Sequence, residues 1–428
     1  MYISMSDRKG GHKDQLDSTP AAATTAFRLS PVILWLGIVS MMTDISSESV
    51  AAILPLYVTG FLGLSTIAFG IIDGINQGAS AIVRIGAGWL SDRTGHPKRV
   101  ALAGYGLSML ARIGFLFAGG FWALAGIVTG DRIGKGIRTA PRDAMISDAA
   151  QPEHLARSFG VHRMMDNIGA AAGPLIAFLL LLLIPNGFGT VFVVSLAFAV
   201  IGVAVLLLMV PGRTPGRRKQ EAAPARPRFR WADLKWSRLK EQGLTRLVLA
   251  AGLLGLLTIG DGFVYLLLQD REAFAVQWFP LLYVGTNAAF LAFAVPLGRL
   301  ADRWGRVPVF LAGHLALLAS YVLAVVPAGG TAATLGCLLL LGFFYAATDG
   351  VLAALVSQVA AREHLGAALG TAQTVVALSR MASAAGFGVL WYAAGSGVAV
   401  ACVALLLAPA VASAAFLLRG AAAGAAMP

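Results

Sequence analysis

The stretch GWLSDRTGHPKR, Gly88 to Arg99, returns as GRLADRWGRVPV, Gly298 to Val309, an offset of 210 positions (298 − 88). SDAAQPEHLARSFG, from Ser147, and SQVAAREHLGAALG, from Ser357, keep the same offset (357 − 147). Two matches at one spacing describe a duplicated chain in which each half carries the same succession of elements. In each copy the Gly, Asp, Arg, Gly pattern closes one long apolar run and opens the next.

On either side of these segments the chain is strongly apolar. It is 57% hydrophobic and 13% charged over 428 residues, where an ordinary soluble domain carries roughly 25% charge. Runs of about 20 apolar residues, each long enough to cross roughly 30 Å of hydrocarbon, recur throughout. Twelve spans are expected, at 31–58, 66–90, 99–118, 121–141, 158–184, 190–210, 245–268, 275–298, 307–327, 332–357, 366–393 and 397–418, so the fold class is an all-α polytopic membrane protein. The duplication divides it into a first half over 29–210 and a second over 244–419. Residues 1–28 are polar, lack a signal-peptide pattern and read as a disordered tail. Residues 211–243 form a linker rich in proline and basic side chains, suited to an anionic leaflet where each nearby Lys or Arg contributes about 1 kcal/mol. A short tail, 420–428, closes the chain.

The net charge of +12 would suggest nucleic acid in a soluble protein. Here its distribution gives another meaning. Arg93, Lys98 and Arg99, then Arg138, Arg142 and Arg157, then Arg303, Arg306 and Arg362 crowd alternate loops, whereas FLGLST, FAGGF, IPNGFG, VPAGG and AAGSG carry no charge. The positive-inside rule places both termini in the cytoplasm, with the chain in the inner membrane. Cys337 and Cys402 lie in apolar spans with no metal-ligand spacing, so no disulfide framework, zinc site or cofactor is expected.

GWLSDRTGHPKR is similar to the loop signature of the major facilitator superfamily, and its second copy at half-chain spacing strengthens the resemblance. The resemblance implies two six-helix bundles around a central cavity that opens alternately to either side. It also implies that Gly88, Asp92, Arg93 and Gly95, with Gly298, Asp302, Arg303 and Gly305 as the second copy, form the cytosolic gate. The segments DISSE (44–48) and GKGIRTAPRD (134–143) resemble a bacterial branch of the family that includes magnetosome-associated proteins and metal or drug transporters. GAAAGP (169–174) is similar to the fifth-span Gly-Pro motif of the family's antiporters, although two later glycines are missing.

The charges inside the spans are the candidate machinery, because an Arg or Lys at a span centre costs roughly 2.5–3.5 kcal/mol unless it faces a cavity or a counter-ion. Asp44 and Glu48 lie four apart on one helix face. At about 6 Å and an effective dielectric near 20, their repulsion is roughly 3 kcal/mol. One is therefore expected to stay charged against a basic partner while the other holds a proton. Arg132 resembles the fourth-span arginine that proton-coupled family members place near a first-span carboxylate. Arg138 and Arg142 are expected at the cytosolic mouth. GDRIGKGIRTAPRD fails as a phosphate loop, since Gly130 and Gly134 are too close and Gly136 follows Lys135.

Asp73 is expected either to line the cavity or to pair with Arg112, and Arg163 to pair locally with Asp166. Asp261, Asp349 and Arg380 complete the cavity set, while His314 and the methionine pairs read as packing. No nucleophile and base arrangement suggests an enzyme. The sum is a secondary active transporter, monomeric and proton-coupled, exporting a small cationic or polar solute. Deep arginines in spans four, five and eleven would suit an anion. An uncoupled facilitator, an importer of an organic anion and a receptor with the same fold stand as alternatives.

Overall fold

The computed structural model describes residues 29–94, 96–151, 154–212, 244–326, 330–360 and 365–424. In the first half α1 is Pro31–Leu56, α2 Thr66–Thr94, α3 Pro97–Phe115, α4 Phe121–Ala149, α5 Leu155–Leu183 and α6 Phe188–Met209. In the second half α7 is Leu244–Leu256, α8 Asp261–Glu272, α9 Pro280–Trp304, α10 Arg306–Val325, α11 Thr331–Val359, α12 Leu365–Ala394 and α13 Ser396–Gly424. Together α7 and α8 make one pass, so the described helices give twelve passes. The N-terminal tail and almost all of the linker, 213–243, lie outside the described residues.

Helix packing repeats the duplication. In the first half, α1 packs on α5 and α6, α4 on α2 and α3, and α3 on α6. In the second, the α7 pass packs on α12 and α13, α11 on α9 and α10, and α10 on α13. Each half is thus a six-pass bundle with one set of neighbours, and the bundles meet chiefly through α2 with α12 and α5 with α9. Leu208 and Phe416 stay 81% and 78% exposed. Hydrocarbon solvates such side chains without penalty, whereas water would make them an aggregation surface.

Nine passes are long and apolar enough to cross a bilayer by composition alone; α2, α3 and α4 fall short among the described helices. Those three carry Asp73, Arg112, Asp131, Arg132, Lys135 and Arg138. These six side chains are buried or half-buried, which is how a bilayer tolerates them.

Pass seven departs from the expected continuous span at 245–268. The helix stops at Leu256 and restarts at Asp261 after an extended Gly260. Backbone groups freed within a membrane need partners. The Ile259 amide donates to the Tyr321 hydroxyl at 2.7 Å, and Ser383 Oγ donates to the Thr258 carbonyl at 2.9 Å. Helices α2 and α4 also outrun their expected spans by one or two turns, because helical hydrogen bonding continues past the hydrocarbon edge.

The ends of the bundles are unequal. We call the end bearing the α2–α3 and α9–α10 junctions the signature face. At the opposite end the bundles are sealed. A Cβ placed on Gly70 would come within 2.5 Å of the Ala384 carbonyl oxygen, and one on Gly388 within 2.5 Å of the Thr66 carbonyl oxygen. Thr66 Oγ1 donates to the Gly388 carbonyl at 3.1 Å, Phe69 meets Phe263 edge-on at 4.7 Å, and Phe178 packs on Trp278 at 5.4 Å. Toward the signature face no hydrogen bond or ion pair joins the bundles among the described residues.

The small residues of GAAAGP act within the first bundle. A Cβ on Gly169 would approach the Met41 carbonyl oxygen and Asp44 Cβ at 2.5 and 3.2 Å; one on Gly173 would approach the Ser49 nitrogen and Glu48 Cβ at 2.8 and 3.0 Å. Close approach of α5 therefore fixes the height of both α1 acids. Gly173→Leu should lower the thermal midpoint in detergent by the equivalent of about 1–3 kcal/mol, the cost of overpacking, with Gly173→Ala intermediate. An unchanged midpoint for the leucine variant would remove this contact from the account.

Candidate functional site

The charged side chains buried in the first bundle gather in three clusters. In the first, Asp131, 3% exposed, accepts from Arg112 Nη2 at 2.9 Å and from Arg132 Nη2 at 2.7 Å. Arg112, also 3% exposed, donates further to Ser46 and Ser47 at 3.2 and 3.1 Å. Ser46 and Ser195 join hydroxyls at 2.9 Å, and Ser195 Oγ reaches the Ser46 carbonyl at 2.8 Å. Helices α1, α3, α4 and α6 are tied together at one level, and α1 runs through its serines unbroken. Arg112 is thus committed to Asp131, which corrects the expected alternative of an Asp73 pair.

On α1, Asp44 and Glu48 flank this tie and remain partly accessible, although Thr43, Ser46, Ser47 and Ser49 around them are buried. The guanidinium nearest Asp44 belongs to Arg138, at 3.8 Å. Arg132 instead takes the neighbouring Asp131, so the expected partnership with the first span falls to a different arginine. Arg138, expected at the cytosolic mouth, is buried and lies over the Tyr105 ring at 4.8 Å. Lys135 lies within electrostatic reach of both Asp44 and Glu48. The glycines flanking it are packing residues on an unbroken helix: a Cβ on Gly134 would meet the Gly104 carbonyl oxygen of α3 at 2.6 Å, and one on Gly136 the Ser80 carbonyl oxygen of α2 at 2.9 Å.

The third cluster lies nearer the signature face. Arg142 bonds Asp143 at 3.0 Å and Ser40 at 3.2 Å and pairs with Asp166 at 3.7 Å. His162 meets Ser40 at 3.0 Å and Asp166 at 3.5 Å. The expected local pair between Arg163 and Asp166 is not made; Arg163 is exposed. Asp166 turns inward because α4 offers it the half-buried guanidinium of Arg142, whereas Arg163 is exposed.

In the second bundle the candidates gather round the break in pass seven. Asp261 opens α8 and accepts from the Tyr345 hydroxyl at 2.7 Å. Arg380 stacks against Phe344 and Tyr345 at 5.9 and 5.7 Å from their ring centres, and it lies within reach of Asp261 and Asp349. Asp349 is exposed. Asp73, from the other bundle, comes up against Gly260 so closely that any Cβ there would strike its carboxylate, and its Oδ2 is buried without a hydrogen-bond partner. Tyr283 lies within electrostatic reach of Glu48 and Asp73 from one bundle and Asp261 from the other. Sequence reasoning missed both Tyr283 and Tyr345, although Tyr345 stands one turn before Asp349 and that spacing was readable. His314 is a packed residue, its Nδ1 2.9 Å from the Phe310 carbonyl oxygen.

At the junctions, Gly298, Asp302 and Arg303 are exposed at the end of α9, and Gly305 turns the chain into α10 with φ of +96°. That backbone is one that L side chains adopt only under strain. The side chains of Asp92 and Arg93, Gly88 with them, and the whole of Gly95 lie outside the described residues.

Two bundles of repeated topology, sealed at one end and lined with charge between them, define a duplicated helical transport protein of the membrane. The model of the Major Facilitator Superfamily matches residues 34–384, and the chain belongs to that family. It is 28% identical over 374 residues to an uncharacterised MFS-type transporter of Methanocaldococcus jannaschii, covering 85% of this chain and 89% of that one. Its fold matches a crystal structure of a mutant of the nucleoside transporter NupG with a TM-score of 0.76 at 15% identity, over 91% of this chain and 99% of the other. A bacterial homologue of the human lysosomal transporter Spinster, solved inward-facing and unoccupied, matches with a TM-score of 0.73 at 14% identity, over 91% and 96%.

Proposed function

We propose that this chain is a proton-coupled secondary transporter that exports a small polar or cationic solute by alternating access, acting as a monomer in the inner membrane. The observation that carries the coupling is the accessible pair Asp44 and Glu48, held at fixed height by α5 and faced by Lys135 and Arg138. A proton on one carboxylate changes the charge that the basic side chains must balance, and so changes which arrangement of α1 and α4 is favoured. Basic loops on the signature face support placing that face in the cytoplasm. On this reading the sealed end is the outer one. The junction residues Gly88, Asp92, Arg93 and Gly95, with Gly298, Asp302, Arg303 and Gly305, would close the other side of the cycle.

The test uses proteoliposomes with a trapped pH dye. Solutes that move protons through the wild-type chain should move none through Asp44→Asn or Glu48→Gln, while both variants stay folded. Full proton movement in both variants would end the assignment; solute flux without proton movement in the wild type would favour a facilitator.

A further inference from the structure

The cluster around Asp166 takes no part in the coupling proposed above, and its charges do not balance. Arg142 gives Nε and Nη2 to Asp143 at 3.1 and 3.0 Å; its Nη1 donates to Ser40 at 3.2 Å and stands 3.7 Å from Asp166 Oδ2. One guanidinium therefore answers two carboxylates, and Asp166 has the longer contact. Its Oδ1 is buried without a hydrogen-bond partner. Elsewhere in the bundle Arg138 and Lys135 face Asp44 and Glu48, and Arg112 and Arg132 hold Asp131, which makes five acids to five bases in all. The spare base is the one at Asp131, roughly 16 Å along α4 from Arg142. Its attraction over that distance is about a quarter of that at 4 Å, so the surplus acid stays uncompensated where it stands.

The groups facing Asp166 are Ser40 and Asp44 of α1, Arg138, Arg142 and Asp143 of α4, and His162 of its own helix, with Tyr105 of α3 behind Ser40. Arg163 is exposed, and Lys98 of α3 donates to the Leu207 and Val210 carbonyls. Ser40 and His162 are 2% and 3% exposed. Their contacts allow a proton to be added without losing one. Nδ1 of His162 lies 3.5 Å from Asp166 Oδ2, Nε2 lies 3.0 Å from Ser40 Oγ, and Ser40 Oγ lies 3.4 Å from the Tyr105 hydroxyl. With Asp166 ionised, the imidazole carries its hydrogen on Nδ1, Ser40 donates to Nε2, and Arg142 and Tyr105 donate to the two serine lone pairs. With Asp166 protonated, its hydroxyl donates to Nδ1, Nε2–H donates to Ser40, and the serine hydroxyl turns to Tyr105. Every contact keeps a donor and an acceptor in both states.

We propose that Asp166, with His162 as its partner, is a proton-binding site of the first bundle, separate from Asp44 and Glu48. One proton from solvent forms the O–H bond of the carboxyl and cancels the surplus charge; the imidazole stays neutral and changes tautomer. Ionised Asp166 draws Arg142 of α4 toward α5, whereas the protonated form leaves that arginine to Asp143. Because α5 fixes the height of the α1 acids, the site carries pH to the helix that positions them. It binds its proton whether or not Asp44 and Glu48 couple flux.

The experiment is infrared difference spectroscopy of the purified full chain in detergent, stepped from roughly pH 8 to pH 5. The stretching band of protonated carboxyl groups should grow as pH falls. Asp166→Asn should remove a component equal to one carboxyl per chain, and Asp44→Asn and Glu48→Gln should keep that component. His162→Gln removes the imidazole and should move the midpoint of the component by at least about one pH unit, a tenfold change in proton affinity. Asp166→Glu keeps a carboxyl and should retain the component at a displaced frequency; it takes over if the asparagine variant fails to fold. A band in Asp166→Asn equal to wild type at every pH, a midpoint unmoved in His162→Gln, or a component that disappears in Asp44→Asn as well would each overturn the assignment. Loss of proton movement in the reconstituted assay would refute the coupling and leave these spectra unchanged.

Discussion

Asp131→Ala should destabilise the protein by about 3–5 kcal/mol, the cost of removing one partner from a buried ion pair. The cost arises from what remains. Arg112 and Arg132 would both face the gap with the carboxylate that holds them at 2.9 and 2.7 Å removed. Arg112 would keep only two serine hydroxyls, and its charge would have no compensation at a depth where water does not reach. Asp131→Asn separates charge from shape: it retains an acceptor of the same size, so most of the loss should persist if charge is the cause. Adding Arg112→Met to Asp131→Asn removes one base along with one acid and should recover much of the loss. Thermal unfolding of the purified chain in detergent gives the comparison. A drop below about 1 kcal/mol for Asp131→Ala would mean the cluster is hydrated, since exposed pairs contribute little.

The passes could be read from the sequence because hydropathy over about 20 residues does not depend on which helices become neighbours. The duplication could be read because 210 residues separate both matched pairs. Ion-pair partners could not, since they depend on helix rotation and depth. Arg132 and Arg138 are six residues apart on α4, roughly 9 Å along the axis and on different faces; only packing decides that Arg138 meets Asp44. Arg112 and Asp131 sit on different helices, with a glycine contact between Gly104 and Gly134 setting their approach. The break in pass seven had a visible cue in Gly260 and Gly262 flanking Asp261. What permits it is the Tyr321 hydroxyl and the Ser383 side chain, from two other helices.

The two halves share a packing scheme but have diverged in what they place at its centre. In the first, an unbroken α1 carries acids that α5 presses toward a basic α4. In the second, the equivalent pass is interrupted, and an acid opens its second segment beside a tyrosine. One scaffold therefore supplies two unlike walls.

Gly388→Leu should shift the resting protein away from the sealed conformation. In the seal α2 and α12 touch backbone to backbone: a Cβ on Gly388 would stand 2.5 Å from the Thr66 carbonyl oxygen and 3.1 Å from Gly70 Cα. Backbone cannot rotate aside as a flexible side chain would, so the added group must separate the helices, break the Thr66 hydrogen bond and loosen the Phe69–Phe263 contact. The cost, about 1–3 kcal/mol for overpacking, falls on the sealed state alone. It changes the ratio of the two states by about 5- to 150-fold. The measurement is labelling of Asp349→Cys, in a background with Cys337 and Cys402 replaced by serine, using a membrane-impermeant thiol reagent applied to vesicles of each orientation. With Gly388 present, labelling should come from the signature face; with Gly388→Leu, it should rise from the sealed side and fall from the other, and Gly388→Ala should lie between. Loss of stability alone would raise labelling from both sides together. Labelling unchanged from either side would mean that the α2–α12 contact does not control access.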